Sequence, residues 1–267
     1  MEAASSHRND LEVQFFGLRR SGNHGVIAWI AQQYEAPIVF LNDVEPFEDP
    51  FTTFSLGKIP NAMPERRLAP DATAKLRAAR KTLLLISYED LKLQTLDGAD
   101  ILPKRSEWLG ESRQVRRVLL LRDFYNWLAS RIKLIEKRSG GGVDLARRTR
   151  SMIRMWLAYA REFSGETVQL GEGLERISYG RWVSDESYAA TVLERLGVPL
   201  LNIARSVVPK TGGGSSFGGE EADVKGLFER WKYLLVPDYD GVRAVVADFR
   251  KEIDAHNQNI FGFGNPF

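Results

Sequence analysis

The 267-residue sequence predicts an α/β protein with three layers, helices covering both faces of a central, mainly parallel β-sheet. Two observations lead there. Short apolar runs rich in branched residues, such as Thr82-Leu83-Leu84-Leu85-Ile86-Ser87 and Val115 to Leu121, recur along the chain. Longer amphipathic segments lie between them, and strands separated by helices pair in parallel through crossovers. No internal repeat or long linker divides the chain, so residues 1–267 read as one domain with a helical C-terminal part, the first ten residues being expected to be disordered.

Val13 to Leu18 reads as a buried strand. After a glycine-containing turn, Val26, Ile27, Trp29, Ile30 and Tyr34 fall at helical spacing. Pro37 to Leu41 is a second strand. Between Asn42 and Pro70 lie Pro46, Pro50, Pro60 and Pro64 with Phe47, Phe51 and Phe54, without a clear period, which predicts a long functional loop. Asp71 is expected to cap a short helix to Arg80, ahead of the strand ending in Tyr88-Glu89-Asp90. The strand Val115–Leu121 runs into Arg122-Asp123 and a helix from Phe124 to Glu136. Past Gly140-Gly141-Gly142, Asp144 opens a long helix to Phe163. Glu175 to Tyr179 is a last strand, Ser184 or Asp185 caps a helix ending before Gly197-Val198-Pro199, and helices are expected over Val224–Leu235 and Asp240–Gln258.

Composition excludes several chemistries. The sequence has no cysteine, so disulfides, thiolate catalysis and Cys-ligated metals are ruled out. His7, His24 and His256 are far apart, against a zinc cluster. A net charge of +2 gives no electrostatic case for a nucleic-acid partner. The polar N-terminus and the lack of long apolar runs predict no secretory signal and no membrane span, hence a cytoplasmic protein.

The informative junction is Gly17-Leu18-Arg19-Arg20-Ser21-Gly22-Asn23-His24-Gly25, between a strand and a helix. Backbone N–H groups there, backed by the helix dipole, form an anion site. Gly17 and Gly22 have Walker A spacing, but Asn23-His24 replaces the Lys-Ser/Thr pair that an NTPase uses on terminal phosphates and Mg²⁺.

Here the chain resembles the sulfotransferases that use 3′-phosphoadenosine 5′-phosphosulfate (PAPS). Arg20-Ser21-Gly22-Asn23-His24 is similar to their Lys-Ser-Gly-Thr-Thr phosphosulfate loop, with Arg for Lys and Asn-His for Thr-Thr. Leu119-Leu120-Leu121-Arg122-Asp123 matches their strand that runs into Arg-Asp, and Ser130 follows eight residues after Arg122, as in the family's 3′-phosphate site. The resemblance implies that Arg122 and Ser130 grip that phosphate, a bidentate cation beside a hydroxyl donor. It assigns Tyr179, after Ile177-Ser178, to the adenine. Lys210, Gly212, Gly213, Gly214, Ser215 and Ser216 occupy the place of the family's loop that closes on the 3′-phosphate, although the residues differ. The likeness spans most of the chain by order of elements, with residue-level support in four short segments.

The implied fold is the P-loop-like sulfotransferase fold, and the implied activity moves a sulfuryl group from PAPS to a hydroxyl or amine of a small-molecule or carbohydrate acceptor, leaving adenosine 3′,5′-bisphosphate. No metal is expected. Arg20 is the expected cation for the leaving phosphate, with Ser21, Gly22, Asn23, His24 and Gly25 as its cradle. The general base is assigned to Glu89, at the C-terminal edge of its strand, with Asp90 second and His24 as a competing base. A non-catalytic adenine-nucleotide or anion binder, and a degenerate P-loop kinase or NTPase, are the alternatives.

Overall fold

The computed structural model describes residues 7–35, 38–57, 59, 61–64, 68–96, 100–139, 143–202 and 224–267. Six strands form one sheet: β1 (Asn9–Gly17), β2 (Ile38–Leu41), β3 (Ala62–Met63), β4 (Lys81–Glu89), β5 (Ser112–Leu121) and β6 (Leu174–Ser178). Their spatial order is β3-β2-β4-β1-β5-β6, and every pairing is parallel. β1 is central and buried on both faces: Leu11, Val13, Phe15 and Phe16 supply its apolar part, and Glu12 and Gln14 are buried polar residues among them.

Alternation along the strands feeds two cores. Val13, Phe15, Leu83, Leu85, Val118 and Leu120 pack on one face with α1 (Asn23–Ala31), α7 (Tyr179–Ser184) and α8 (Glu186–Leu196). Phe16, Leu84, Ile86, Leu119 and Leu121 pack on the other with α5 (Phe124–Ser139), α6 (Leu145–Ser164) and α10 (Asp240–Phe261). The three-layer α/β expectation is met, and the sheet is parallel throughout the described strands.

Local chemistry sets the helix ends. Asp144 caps α6, its Oδ1 accepting from Arg147 N at 2.9 Å, and Asp185 caps α8 by accepting from Tyr188 N at 2.9 Å. Asp71 does not cap α3 (Pro70–Ala78). Pro70 occupies the first helical position, Ala69 precedes it, and Asp71 lies inside the first turn, where an acid favours the dipole. The segment without a period after Asn42 holds β3 and the one-turn helix α2 (Pro50–Thr53), which Asp49 caps. The short α4 (Arg105–Leu109) was not anticipated. The helix expected over Val224–Leu235 is interrupted: α9 (Val224–Phe228) gives way at Glu229 to a 3₁₀ turn, Arg230–Leu235. There the Trp231 N–H bonds Asn126 Oδ1 at 3.2 Å, which draws the segment onto α5.

From β1 the chain moves toward β2, and from β5 it moves toward β6. The C-terminal ends of β1 and β5 thus flank a point where the connections diverge, the crevice where open parallel sheets bind ligands. Among the described residues no helix is long and apolar enough to cross a membrane.

Candidate functional site

The turn after β1 is built by two left-handed residues, Arg20 (φ 74°) and Gly22 (φ 101°). A side chain at Gly22 would be strained, and its Cβ would fall 2.1 Å from the Tyr179 ring. The Ser21 N–H donates to Leu18 O at 3.0 Å, and Trp127 Nε1 donates to Arg19 O at 3.0 Å. Asn23 folds back over the turn. Its Nδ2 donates to Leu18 O at 3.1 Å and to Glu89 Oε1 at 2.7 Å. The amide rests against Gly17, where an added Cβ would lie 2.2 Å from Asn23 Oδ1.

The consecutive arginines diverge. Arg19 ion-pairs with Asp43, with Glu89 Oε2 at 3.3 Å and with Asp90 Oδ2 at 3.9 Å. Burial lowers its pKa, but Asp43, Glu89 and Asp90 overcome that and raise it. Arg20 lies in the opposite field: burial first, then Arg122, hold its guanidinium below the ordinary arginine value, with Glu89 opposing.

Arg122 is 2% exposed at the end of β5. Its carbonyl accepts from Trp156 Nε1 at 2.9 Å, its Nη2 donates to Leu227 O, and its guanidinium stacks 5.1 Å from the Tyr179 ring centroid. Its Nε has no partner among the described residues. Ser130 is fully buried one face along α5, its Oγ donating to Asn126 O at 2.8 Å and accepting from Arg230 Nη1 at 3.1 Å. Arg230 was not anticipated. Burial, then Arg122, and also Arg20 push its pKa down to about 9, although Tyr179 and Asp123 oppose them. Among the described residues Asp123 is a nearby carboxylate, but burial raises its pKa and it is turned onto Asn126 N (3.0 Å) and Nδ2 (2.8 Å). The charge of Arg122 thus weighs on both Arg20 and Arg230 beside a serine hydroxyl, an arrangement that an anion would relieve.

Structural comparison finds sulfotransferases. The sulfotransferase domain of the Synechococcus PCC 7002 olefin synthase superposes with a TM-score of 0.54 at 12% identity, covering 99% of each chain. Mouse sulfotransferase SULT7A1 complexed with PAP gives 0.52 at 11% identity, covering 94% of this chain and 89% of that one. The chain has the sulfotransferase fold. A third match is the sulfotransferase domain of the curacin biosynthetic pathway, with a TM-score of 0.52 at 11% identity over 89% of this chain and 96% of that one. No family model matches the sequence, and no curated protein matches it. At these identities the likeness concerns the fold.

On this sulfotransferase fold, the turn Arg20–Gly25, Arg122, Ser130 and Tyr179 converge at the β1–β5 crevice. Glu89 joins them through Asn23, and its side chain is 12% exposed. Asp90 is bound on both oxygens, by Arg19 N at 2.9 Å and Arg131 Nη1 at 2.8 Å. His24 packs edge-on to Phe40 of β2, ring centroids 6.2 Å apart. Tyr179 begins α7 instead of ending β6. Lys210, Gly212, Gly213, Gly214, Ser215 and Ser216 lie outside the described residues. No group of three His, Asp or Glu side chains forms a metal site among the described residues.

Sequence reasoning missed Arg230 because Glu229-Arg230-Trp231-Lys232 reads as any exposed helical stretch. It also missed the Asn23–Glu89 bond, which required knowing that β1 and β4 are neighbours with Gly17 opposite Glu89.

Proposed function

We propose that the protein is a sulfotransferase that moves a sulfuryl group from PAPS to a hydroxyl or amine of a small-molecule or carbohydrate acceptor. The observation that carries this is the Arg122–Ser130–Arg230 cluster beside the Arg20 turn: buried like charges with the Arg122 Nε unmatched, at the C-terminal edge of a parallel sheet. Arg122, Arg230 and Ser130 would hold the 3′-phosphate, with the Lys210–Ser216 segment closing over it. Arg20 and the backbone of Ser21 to Gly25, His24 included, would hold the phosphosulfate, and Tyr179 would meet the adenine. The mouse neighbour's bound PAP is consistent with such a ligand.

In the transfer, the acceptor oxygen or nitrogen bonds to sulfur as the bond from sulfur to the bridging oxygen breaks. The electron pair stays on the leaving phosphate, where Arg20 opposes the developing charge. The acceptor's proton passes to Glu89, which Asn23 orients from the same turn. Sulfuryl transfer develops less negative charge than phosphoryl transfer, so arginines and N–H donors suffice in this scheme.

Thermal stabilisation tests the donor half. Adenosine 3′,5′-bisphosphate should raise Tm more than ATP with Mg²⁺, and Arg122→Ala should abolish the difference. An equal or larger response to ATP with Mg²⁺ would favour a degenerate kinase, and no response to the bisphosphate would refute the donor site.

One observation favours a binder without turnover. Both Glu89 oxygens are already engaged, Oε1 by Asn23 and Oε2 by Arg19, whereas a general base must turn an oxygen to the acceptor's proton. Sulfate transfer to a panel of acceptors separates the two: bisphosphate binding with no transfer would make the chain a binder.

A further inference from the structure

Beside the candidate donor site, α5 and α6 leave an open groove of about 500 Å³, a size that suits a small organic ligand. Leu134, Ile135, Met152 and Met155 give it an apolar wall, and the exposed Arg138 and Arg148 line it as well. Arg19 and Arg131 complete the charged lining, but these two already serve Asp43, Glu89 and Asp90. Among the described residues no carboxylate lines the groove, and neither Arg138 nor Arg148 has an ion pair.

The position of Arg148 sharpens this. It lies in the first turn of α6, a 20-residue helix whose N-terminal end has the capping Asp144 and no further acid in its first turn, where the macrodipole disfavours a cation and favours an anion. The groove also adjoins the donor side, since the charges of Arg131 and Arg138 both reach Arg20 and add to the lowering of its pKa. A smaller cavity of about 260 Å³, lined by Asp43, Tyr88, Glu89 and Asp90, shares Arg19 with the groove.

We propose that the α5–α6 groove is the acceptor site and that its occupant is a small amphipathic anion, with an apolar body against Leu134, Ile135, Met152 and Met155, one carboxylate on Arg138 and Arg148, and the reacting hydroxyl or amine carried past Arg19 to Glu89. This rests on the sulfotransferase reading and narrows it: a polyol would leave the methionine and leucine wall unsatisfied. Two arginines suit a carboxylate because each offers parallel N–H donors.

Octanoate is the probe and octylamine the charge control, each titrated calorimetrically into the full chain. Octanoate should bind at least about tenfold tighter than octylamine, and R138E/R148E should weaken octanoate about tenfold or more. Both positions are exposed, and a thermal melt followed by circular dichroism checks that the variant is folded. Leu134→Asn, which leaves the cations in place, should also weaken octanoate. Undetectable octanoate binding, equal binding of octylamine, or octanoate binding untouched by R138E/R148E would each overturn the proposal. Bisphosphate stabilisation, measured on the same unmodified protein, keeps the failures apart. Its absence sinks the donor reading, whereas the octanoate titration decides the groove.

Discussion

Arg230 is 6% exposed, and burial with the charge of Arg122 holds its folded-state pKa at about 9, well below the ordinary arginine value. Above about pH 9 the unfolded chain keeps a proton that the folded chain has lost, so this group's cost to stability is full below pH 9 and is relieved as pH rises through it. Arg230→Met should therefore raise the Tm of the ligand-free protein at pH 7 while reducing its stabilisation by the bisphosphate, a trade of stability against binding. Unliganded melts with a lower Tm for the variant would refute the repulsion. Bisphosphate affinity should likewise decline as pH passes about 9, whereas a site built on ordinary arginines would hold to far higher pH. At Glu89, the proposed base role predicts that Glu89→Gln lowers turnover by about 100-fold or more with bisphosphate affinity retained, while His24→Ala stays near wild type. Turnover surviving in Glu89→Gln and lost in His24→Ala would transfer the role to the imidazole.

The strand–turn–helix element from β1 to α1 makes a separate demand on geometry. Gly17 is extended, yet an alanine there would push Asn23 Oδ1 from 2.2 Å, and Asn23 is what joins the turn to Glu89. Gly17→Ala is expected to destabilise by about 1–3 kcal/mol, the usual cost of overpacking, and to impair both binding and turnover. A denaturant melt unchanged from wild type would refute the close packing. This element was largely legible in the sequence, because Gly17 and Gly22 punctuate it and the apolar run before it has strand length. Arg122 and Ser130 were named by the resemblance to the sulfotransferases, whose spacing within one strand–helix unit they match. Arg230 was not, since it reaches Ser130 across 100 residues of sequence, and its helix is interrupted where Asn126 accepts from the Trp231 N–H. The phenylalanine- and proline-rich stretch after Asn42 gave no period because its pieces, α2 and β3, are shorter than any period needs to declare itself.

Across the molecule, chemistry and reinforcement lie at opposite ends of the sheet. At the far end Glu12, with no solvent exposure, accepts from Gln14 Nε2 at 2.8 Å, Ser112 Oγ at 2.6 Å and Arg105 Nε at 3.0 Å, and ion-pairs with Arg105 Nη2 at 2.9 Å, tying β1 to β5 and α4. Glu12→Ala strands Arg105 and should cost about 3–5 kcal/mol, the penalty for breaking a buried pair, while the folded fraction keeps its bisphosphate affinity. A loss of affinity in the folded protein would show that the two ends are coupled. Parallel pairing was legible in the alternation of strands and helices, but the strand order was not, and the sharing of Arg19 between two cavities depends on where α5 and α6 come to rest. The three-arginine crevice has a practical side. A cluster whose cations repel one another until an anion arrives acts as a scavenger, and cells are rich in polyanions. Preparations should leave the first column carrying nucleotide, visible as excess absorbance at 260 nm. Phosphate and sulfate buffers should compete with any titrant, and the truly empty protein will be met only after washing at high salt.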